Sequence, residues 1–390
     1  MQFPHFLLAA TIAFTCLSLG QEDAPSLLHQ TQIKGLLVYE MQDGSLASQA
    51  SQMNATLIAS SNEKEFEIGF NQKVGEQMTA ATAEVEKFIR LRHSERLPEK
   101  QKIEFAFENK HNPKDGPSAA VVCALLANSI LTGESIDPDF AATGDMTATG
   151  AVLPVGGVAD KIRGATKKRC SIVGIPKNNH LSISDSYILD GIKPLYQIQI
   201  FTLDTFEEAY QLASQEREAD VQKALDEFSA VQTVLKKNER LIFNGKVQEK
   251  LRTIYKLMPN HLSAKILLLH SLKKGPNTLS LLGSLNGIDQ AGTQLGIMIE
   301  NNSYMTKGGN NDVLTRLVHD LQRLRPQLDK RTLEYADAYR TLAEFIQGVR
   351  SRKTWNHQLQ REFNTALAAV NSNRDRLLNE PEIQEELQSE

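Results

Sequence analysis

The stretch PKDGPSAAVVCALLANSIL, residues 113–131, decides how the first half of this chain is read. A Gly116-Pro117 corner leads into an unbroken run of small and apolar residues. Proline at a first helical position, with Asp115 just upstream, is a helix start signal, so a helix is expected over 117–131. Ser118 then falls in the first turn. Amides there have no intrahelical partner and lie at the positive end of the helix dipole, a placement suited to a developing oxyanion. Gly116 lets a backbone or a substrate strand approach closely. Taken alone, the plainer reading is that Ser118 only satisfies its own helix terminus.

On either side of that stretch, strand and helix patterns alternate. KIEFAFEN (102–109) places Ile103, Phe105 and Phe107 on one face, as a half-buried strand does. Short β-rich runs precede it at 35–41, 55–61 and 65–70, with helical spacing over 74–91. Downstream, strands are expected at 151–155, 171–176 and 198–203, and helices at 157–168 and 206–212. The pattern is that of an α+β domain over residues 35–213. From 214 to 390 the chain turns polar and helical, with a break at KGGNN (307–311). In this all-α region Leu328, Tyr335, Tyr339, Leu342, Ile346 and Val349 recur at helical spacing and read as a core-facing stripe.

The 390 residues hold 43 Lys and Arg against 47 Asp and Glu, a net charge of −4 that excludes a basic nucleic-acid binder. Hydrophobic residues at 41% and charged residues at 23% are ordinary globular usage, which rules out wholesale disorder. Three cysteines make no disulfide framework, and without C-x-x-C or H-E-x-x-H no metal or cofactor is expected. Cys123 and Cys170 read as buried free thiols, pairing in an oxidising compartment being the alternative.

Residues 6–20 form an uncharged, mostly apolar run with Ser18 and Gly20 at the −3 and −1 positions of a signal-peptidase site. Residues 1–20 are therefore expected to be a signal peptide cleaved before Gln21, followed by a polar linker over 21–34, and the protein to be exported. Residues 1–5 carry no Lys or Arg, so an uncleaved membrane anchor is the alternative. As a helix the run would reach about 22 Å, short of the roughly 30 Å hydrocarbon core.

The second chemical stretch is LPVGGVADKIR, residues 153–163, where a strand enters Gly156-Gly157 and a helix bearing Lys161. A serine nucleophile needs a base, and a lysine near its ordinary pKa of about 10.4 is protonated at neutral pH. Burial and a helix N-terminus both disfavour the ammonium and can bring the amine toward neutrality. The plainer reading is an exposed helix lysine. Asp160 is adjacent, but adjacent helical residues do not face each other.

Together these residues carry a resemblance to the proteolytic domain of Lon proteases, over about 35–213. PKDGPSA resembles the Lon nucleophile motif. ATGDMTATGAVLPVGGVADK (142–161) resembles the T-G-E…G-x-V-L-P-[IV]-G-G-[LV]-x-x-K block, and IVGIPKNN (172–179) the strand and turn that follow. The resemblance implies Ser118 as nucleophile and Lys161 as general base of a Ser-Lys dyad. It implies Thr143 as a hydrogen-bonding neighbour of the lysine amine, and Asp115 as a loop-structuring residue. It also implies polypeptide substrates and a homo-oligomeric ring.

The departures are Asp145 where the family has Glu, Ala120 where it usually has Gly, and the missing G-x-x-x-x-G-K-[ST] phosphate loop. The expected activity is thus ATP-independent serine endopeptidase action on unfolded or flexible chains. The alternative is a catalytically degenerate scaffold that binds a protein partner through its helical region. A Ser118-His111 pairing lacks an orienting carboxylate, and a phosphate-binding role for GPSAA lacks its lysine. Residues 247–272, with Pro259 at a turn, resemble a single tetratricopeptide helix-turn-helix.

Overall fold

A helix whose every face is apolar must be enclosed on all sides, and in the computed structural model every side chain from Ala120 to Leu131 is buried. The structure describes residues 27–40, 46–60, 66–95, 97–108, 115–304, 311–350 and 356–389. The signal-like run 1–20, His111, Pro113, Lys114 and most of the break at 307–311 lie outside the described residues. No described helix is long and apolar enough to cross a membrane.

The first part of the chain runs β1 (Gln30–Glu40), β2 (Leu46–Ala59), β3 (Glu67–Phe70), α1 (Glu76–Arg92), β4 (Gln101–Phe107), α2 (Ala120–Thr132), β5 (Phe140–Ala142), β6 (Asp145–Met146) and β7 (Val152–Leu153). It continues with α3 (Val158–Lys167), β8 (Ile172–Pro176), α4 (His180–Asp190), α5 (Lys193–Gln197), β9 (Gln199–Leu203) and α6 (Phe206–Ala213). Seven strands form one mixed sheet in the order β3-β4-β2-β1-β5-β8-β9, and β6 and β7 make a separate ribbon. β1, β5, β8 and β9 run parallel, whereas β2 is antiparallel to both β1 and β4. This is the α+β architecture expected from the pattern.

Several boundaries differ from the sequence reading. β1 begins at Gln30, inside the stretch whose polarity suggests a linker. Gln32 faces water while Ile33 is buried and pairs with Met53, so the polar residues there are the outer face of a strand. β2 begins at Leu46 and not near 55, because small and polar residues such as Ala50 and Ser51 also fill its inner positions. The helix expected from Pro117 opens as a single 3₁₀ turn, Pro117–Ala119, before α2. Cys123 and Cys170 are both free and buried.

The remaining helices are α7 (Ala219–Lys237), α8 (Gly245–Leu257), α9 (Leu262–Ser271), α10 (Leu281–Glu300), α11 (Asn311–Leu324), α12 (Leu333–Arg350), α13 (His357–Asn379) and α14 (Pro381–Ser389). Tyr335, Leu342, Ile346 and Val349 of the expected stripe are buried on α12. Leu328 is buried just ahead of that helix. Pro259 separates α8 from α9.

Composition changes at 213, but packing does not: one hydrophobic core runs from Ile33 to Leu267 and includes α7–α9. A second core runs from Leu279 to Ile383. The joint between sheet and helices is His261, fully buried between Phe201 and Phe228, with ring centroids 4.2 and 4.4 Å away. Its Nδ1 accepts from the Ala264 amide at 3.3 Å, which leaves Nε2 to donate to Gln199 Oε1 at 3.2 Å. Burial brings this imidazole down to about 3, so it is neutral.

A chain ending near residue 213 would expose the apolar surface that α7–α9 cover, and it is expected to aggregate or to melt without a cooperative transition. A chain ending near 275 keeps the whole first core and is expected to unfold in one transition. Thermal melts followed by circular dichroism compare the two. Equal cooperativity in the shorter chain would show that α7–α9 are dispensable to that core.

Candidate active site

Ser118 lies half-buried in the 3₁₀ turn that opens α2. The turn is reached through Gly116, whose φ of 98° and ψ of 145° are open to glycine almost alone. Among the described residues a Cβ there would meet nothing within 4 Å, so it is the backbone conformation of the structure that calls for glycine. Asp115 anchors the approach. Its Oδ1 accepts from the Met78 amide at 3.1 Å, in the first turn of α1, and from the Gly116 amide at 2.8 Å. Its carboxyl rests directly on Gly75, where any side chain would collide with it. Asp115 thus caps α1 from outside that helix and bonds the backbone of the loop before Ser118.

The Ser118 carbonyl is gripped twice. It accepts from the Gly144 amide at 3.0 Å and from Thr143 Oγ1 at 3.2 Å. The Gly144 carbonyl in turn accepts from the Val121 amide at 3.2 Å, closing a backbone clamp between the turn and the segment after β5. Gly144 is wedged between Val121 and Val152, where a methyl group would sit 3.1 and 3.0 Å from their side chains. Ala120, the departure after the nucleophile motif, is buried at the start of α2 and its methyl fills core space.

Lys161 points inward and is only 4% exposed. Its Nζ donates to Thr143 Oγ1 at 3.1 Å, and that same hydroxyl donates to the Ser118 carbonyl. Thr143 therefore joins the lysine to the serine turn. Burial lowers the Lys161 amine from about 10.5 to about 8. Asp160 pairs with Arg163 along α3 and not with the Lys161 ammonium. Asp145 is half-buried beside β7, where burial and the charge of Glu84 raise its carboxyl while the Met146 amide opposes them.

α3, which carries Lys161, is held on three sides. It starts at Gly157 in the left-handed region at φ 69°, and the Gly157 carbonyl accepts the Lys161 amide at 3.0 Å. Ser48 of β2 donates to the Asp160 carbonyl. The third restraint escaped the sequence reading: Asn179 is 1% exposed and pairs with both backbone groups of Val155, accepting from its amide at 2.9 Å and donating to its carbonyl at 3.0 Å. The signal was the second Asn of IPKNN, read only as part of a strand and turn.

Comparison with known proteins bears on the same residues. Residues 71–213 match the Lon protease (S16) C-terminal proteolytic domain. The chain is similar to the Lon protease of Desulforamulus reducens, with 30% identity over 165 residues covering 41% of this chain and 20% of that protein. It is 33% identical to the Lon protease of Azospirillum brasilense over 138 residues, or 34% of this chain and 17% of the relative. With the mitochondrial Lon protease homolog of Debaryomyces hansenii it shares 42% identity over 82 residues, or 20% and 8%. The chain spans a fifth or less of the length of these relatives, and what it shares with them is a Lon-type proteolytic domain.

A lysine lowered from about 10.5 to about 8 carries a penalty on its charged form of about 3 kcal/mol in the folded protein. The sign follows from protons bound: below pH 8 both states are protonated and the penalty is complete. Between 8 and 10.5 only the unfolded chain holds the proton, so stability rises with pH. Lys161→Met is thus expected to raise the melting temperature at pH 7 by several degrees and to lose that advantage by pH 10. Melting curves across that range check it, and an advantage independent of pH would contradict the burial argument.

Proposed function

We propose that this protein is an ATP-independent serine endopeptidase in which Ser118 is the nucleophile and Lys161 the general base. The observation that carries the reading is the Thr143 hydroxyl, which bonds both the buried Lys161 amine and the Ser118 carbonyl. An amine near pKa 8 is neutral in a useful fraction of molecules at physiological pH, and a guanidinium or an exposed lysine is not.

In the proposed reaction the neutral Lys161 takes the Ser118 proton as Oγ attacks the substrate carbonyl. The developing oxyanion faces amides of the turn that opens α2, which lie at the positive end of that helix. The lysine then gives its proton to the leaving amine, and a water activated in the same way releases the acyl group. Thr143 keeps the amine aimed, and Asn179 and Gly157 keep its helix in place.

The 390 residues contain no Walker-type phosphate loop, which supports hydrolysis of unfolded or flexible polypeptides without nucleotide. Export through residues 1–20 belongs to the same proposal, since nucleotide is scarce outside the cytoplasm. The resemblance also supports assembly into a homo-oligomeric ring, which sedimentation would read directly.

The dyad is tested on a flexible substrate such as casein. Ser118→Ala, Lys161→Ala and the double variant should each lose nearly the same activity, because the two residues act as one unit. Lys161→Arg should be as inactive as Lys161→Ala, since a guanidinium stays protonated. Wild-type activity should rise with pH through about 8. Substantial activity in Lys161→Arg would assign the base to another group, and fluorophosphonate labelling that leaves Ser118 unmodified would favour the scaffold alternative.

Two further measurements address nucleotide and export. Turnover should be the same with ATP and magnesium or with a chelator, and a many-fold rise with ATP would overturn nucleotide independence. N-terminal sequencing of natively expressed protein should begin at Gln21, and Met1 retained on a cytoplasmic protein would overturn export.

A further inference from the structure

The second hydrophobic core is built from sequence outside the matched domain, yet part of it stands beside the loop that enters the lysine helix. A pocket of about 180 Å³ is lined by Pro154, Val155, Gly156 and Gly157, by Ser182 of α4, and by Leu282 of α10 and Leu387 of α14. Among the described residues no charged side chain lines it, and Ser182 brings the one side-chain hydroxyl. Gly156 is exposed, with open space where a side chain would stand. The floor is rigid, because Asn179 holds both backbone groups of Val155. Gly157 is the residue whose carbonyl receives the Lys161 amide.

Leu282 is fixed in place by a junction distinct from the pocket. Asp185 of α4 is buried, and its carboxylate accepts from the Ser280 amide at 2.8 Å and the Ser280 hydroxyl at 2.7 Å. The same hydroxyl accepts from the Gly283 amide at 2.9 Å, capping α10. The Asp185 carboxyl lies directly on Gly283, where any side chain would collide. α10 is therefore docked at its first turn, the turn that carries Leu282.

Resting on the peptidase reading above, we infer that Leu282 and Leu387 form the outer wall of a specificity pocket that takes one apolar side chain of the polypeptide substrate. The lining is apolar apart from bare glycine backbone and one hydroxyl, which suits a leucine-sized or aromatic side chain whose own main chain runs along residues 154–157. A charged side chain would be desolvated there without a partner. The C-terminal helices are thereby part of the substrate site and set its preference.

The experiment uses the full-length protein and fluorogenic peptides identical except for one residue, Ala, Leu, Phe or Asp, placed in turn at each position around the cleaved bond. At one position the wild type should favour Leu or Phe over Ala and Asp in kcat/KM by about tenfold or more. Leu282→Phe and Leu387→Trp, which fill the pocket, should shift that preference toward Ala. Leu282→Ala and Leu387→Ala should shift it toward Phe. Because each ratio is taken within one variant, loss of folded protein cancels from it. Unchanged ratios in both pairs would overturn the pocket, as would removal of residues 381–390 that speeds cleavage of all peptides equally, since α14 would then block and not select. Failure of the peptidase reading is seen separately, as no difference between wild type and Ser118→Ala. The same peptides are then followed by fluorescence anisotropy, where equal binding of the Ala and Leu peptides overturns the pocket.

Discussion

The site depends on keeping one ammonium group where water cannot reach it. Lys161 is nearly inaccessible and its described side-chain partner is a neutral hydroxyl, so its charged form is disfavoured without any opposing carboxylate. A buried acid beside it would have had the opposite effect, holding the proton on the amine. The only nearby acid in sequence, Asp160, is paired with Arg163. The folded protein tolerates the cost because the rest of α3 packs closely: Val158, Ile162, Gly164 and Ala165 are buried with it. Gly164 lets the helix approach β2 so nearly that a methyl group would lie 3.0 Å from Ser48 Oγ.

Precision at the lysine comes from its surroundings. Three short polar bridges surround α3: Thr143, which holds the Lys161 amine, bonds the Ser118 carbonyl, Asn179 holds Val155 in the loop before the helix, and Ser48 donates to the Asp160 carbonyl within it. Each uses a backbone group at its far end. Such bridges hold the surroundings of the amine in one arrangement, which is what the base proposed above would need to stay aimed.

Much of this was legible in the sequence because the informative residues sit at chain punctuation. Gly116-Pro117 and Gly156-Gly157 mark two helix starts, and the helices place Ser118 and Lys161. The role of Thr143 came from the resemblance, since nothing in a lone threonine signals that its hydroxyl will bridge two segments. β5 and β6 were missed because FAA and DM are too short to show a period, although Phe140, Ala141 and Ala142 are wholly buried. Asn179 was missed for a related reason: its partner is a backbone group 24 positions away, and periodicity carries no record of that. The change of composition at 213 is real, but it marks where strands end and not where the first core ends.

That last difference has a physical origin in the edge of the sheet. β9 is the final strand, and an edge strand presents unpaired amides and carbonyls that must be covered or left to water. Here the start of α9 covers them. The Thr202 amide donates to the Asn260 carbonyl at 2.9 Å, and Asn260 Nδ2 donates back to the Thr202 carbonyl at 3.2 Å. Ser263 Oγ accepts from the Ile200 amide at 3.0 Å and donates to the Ile198 carbonyl at 3.2 Å. β9 pairs along its whole length with β8, and β8 runs directly into the turn that carries Asn179. Helices that look like a separate region in composition therefore close the sheet whose next strand leads to the Val155 clamp. The lysine helix is held, at one remove, by residues far beyond the last strand.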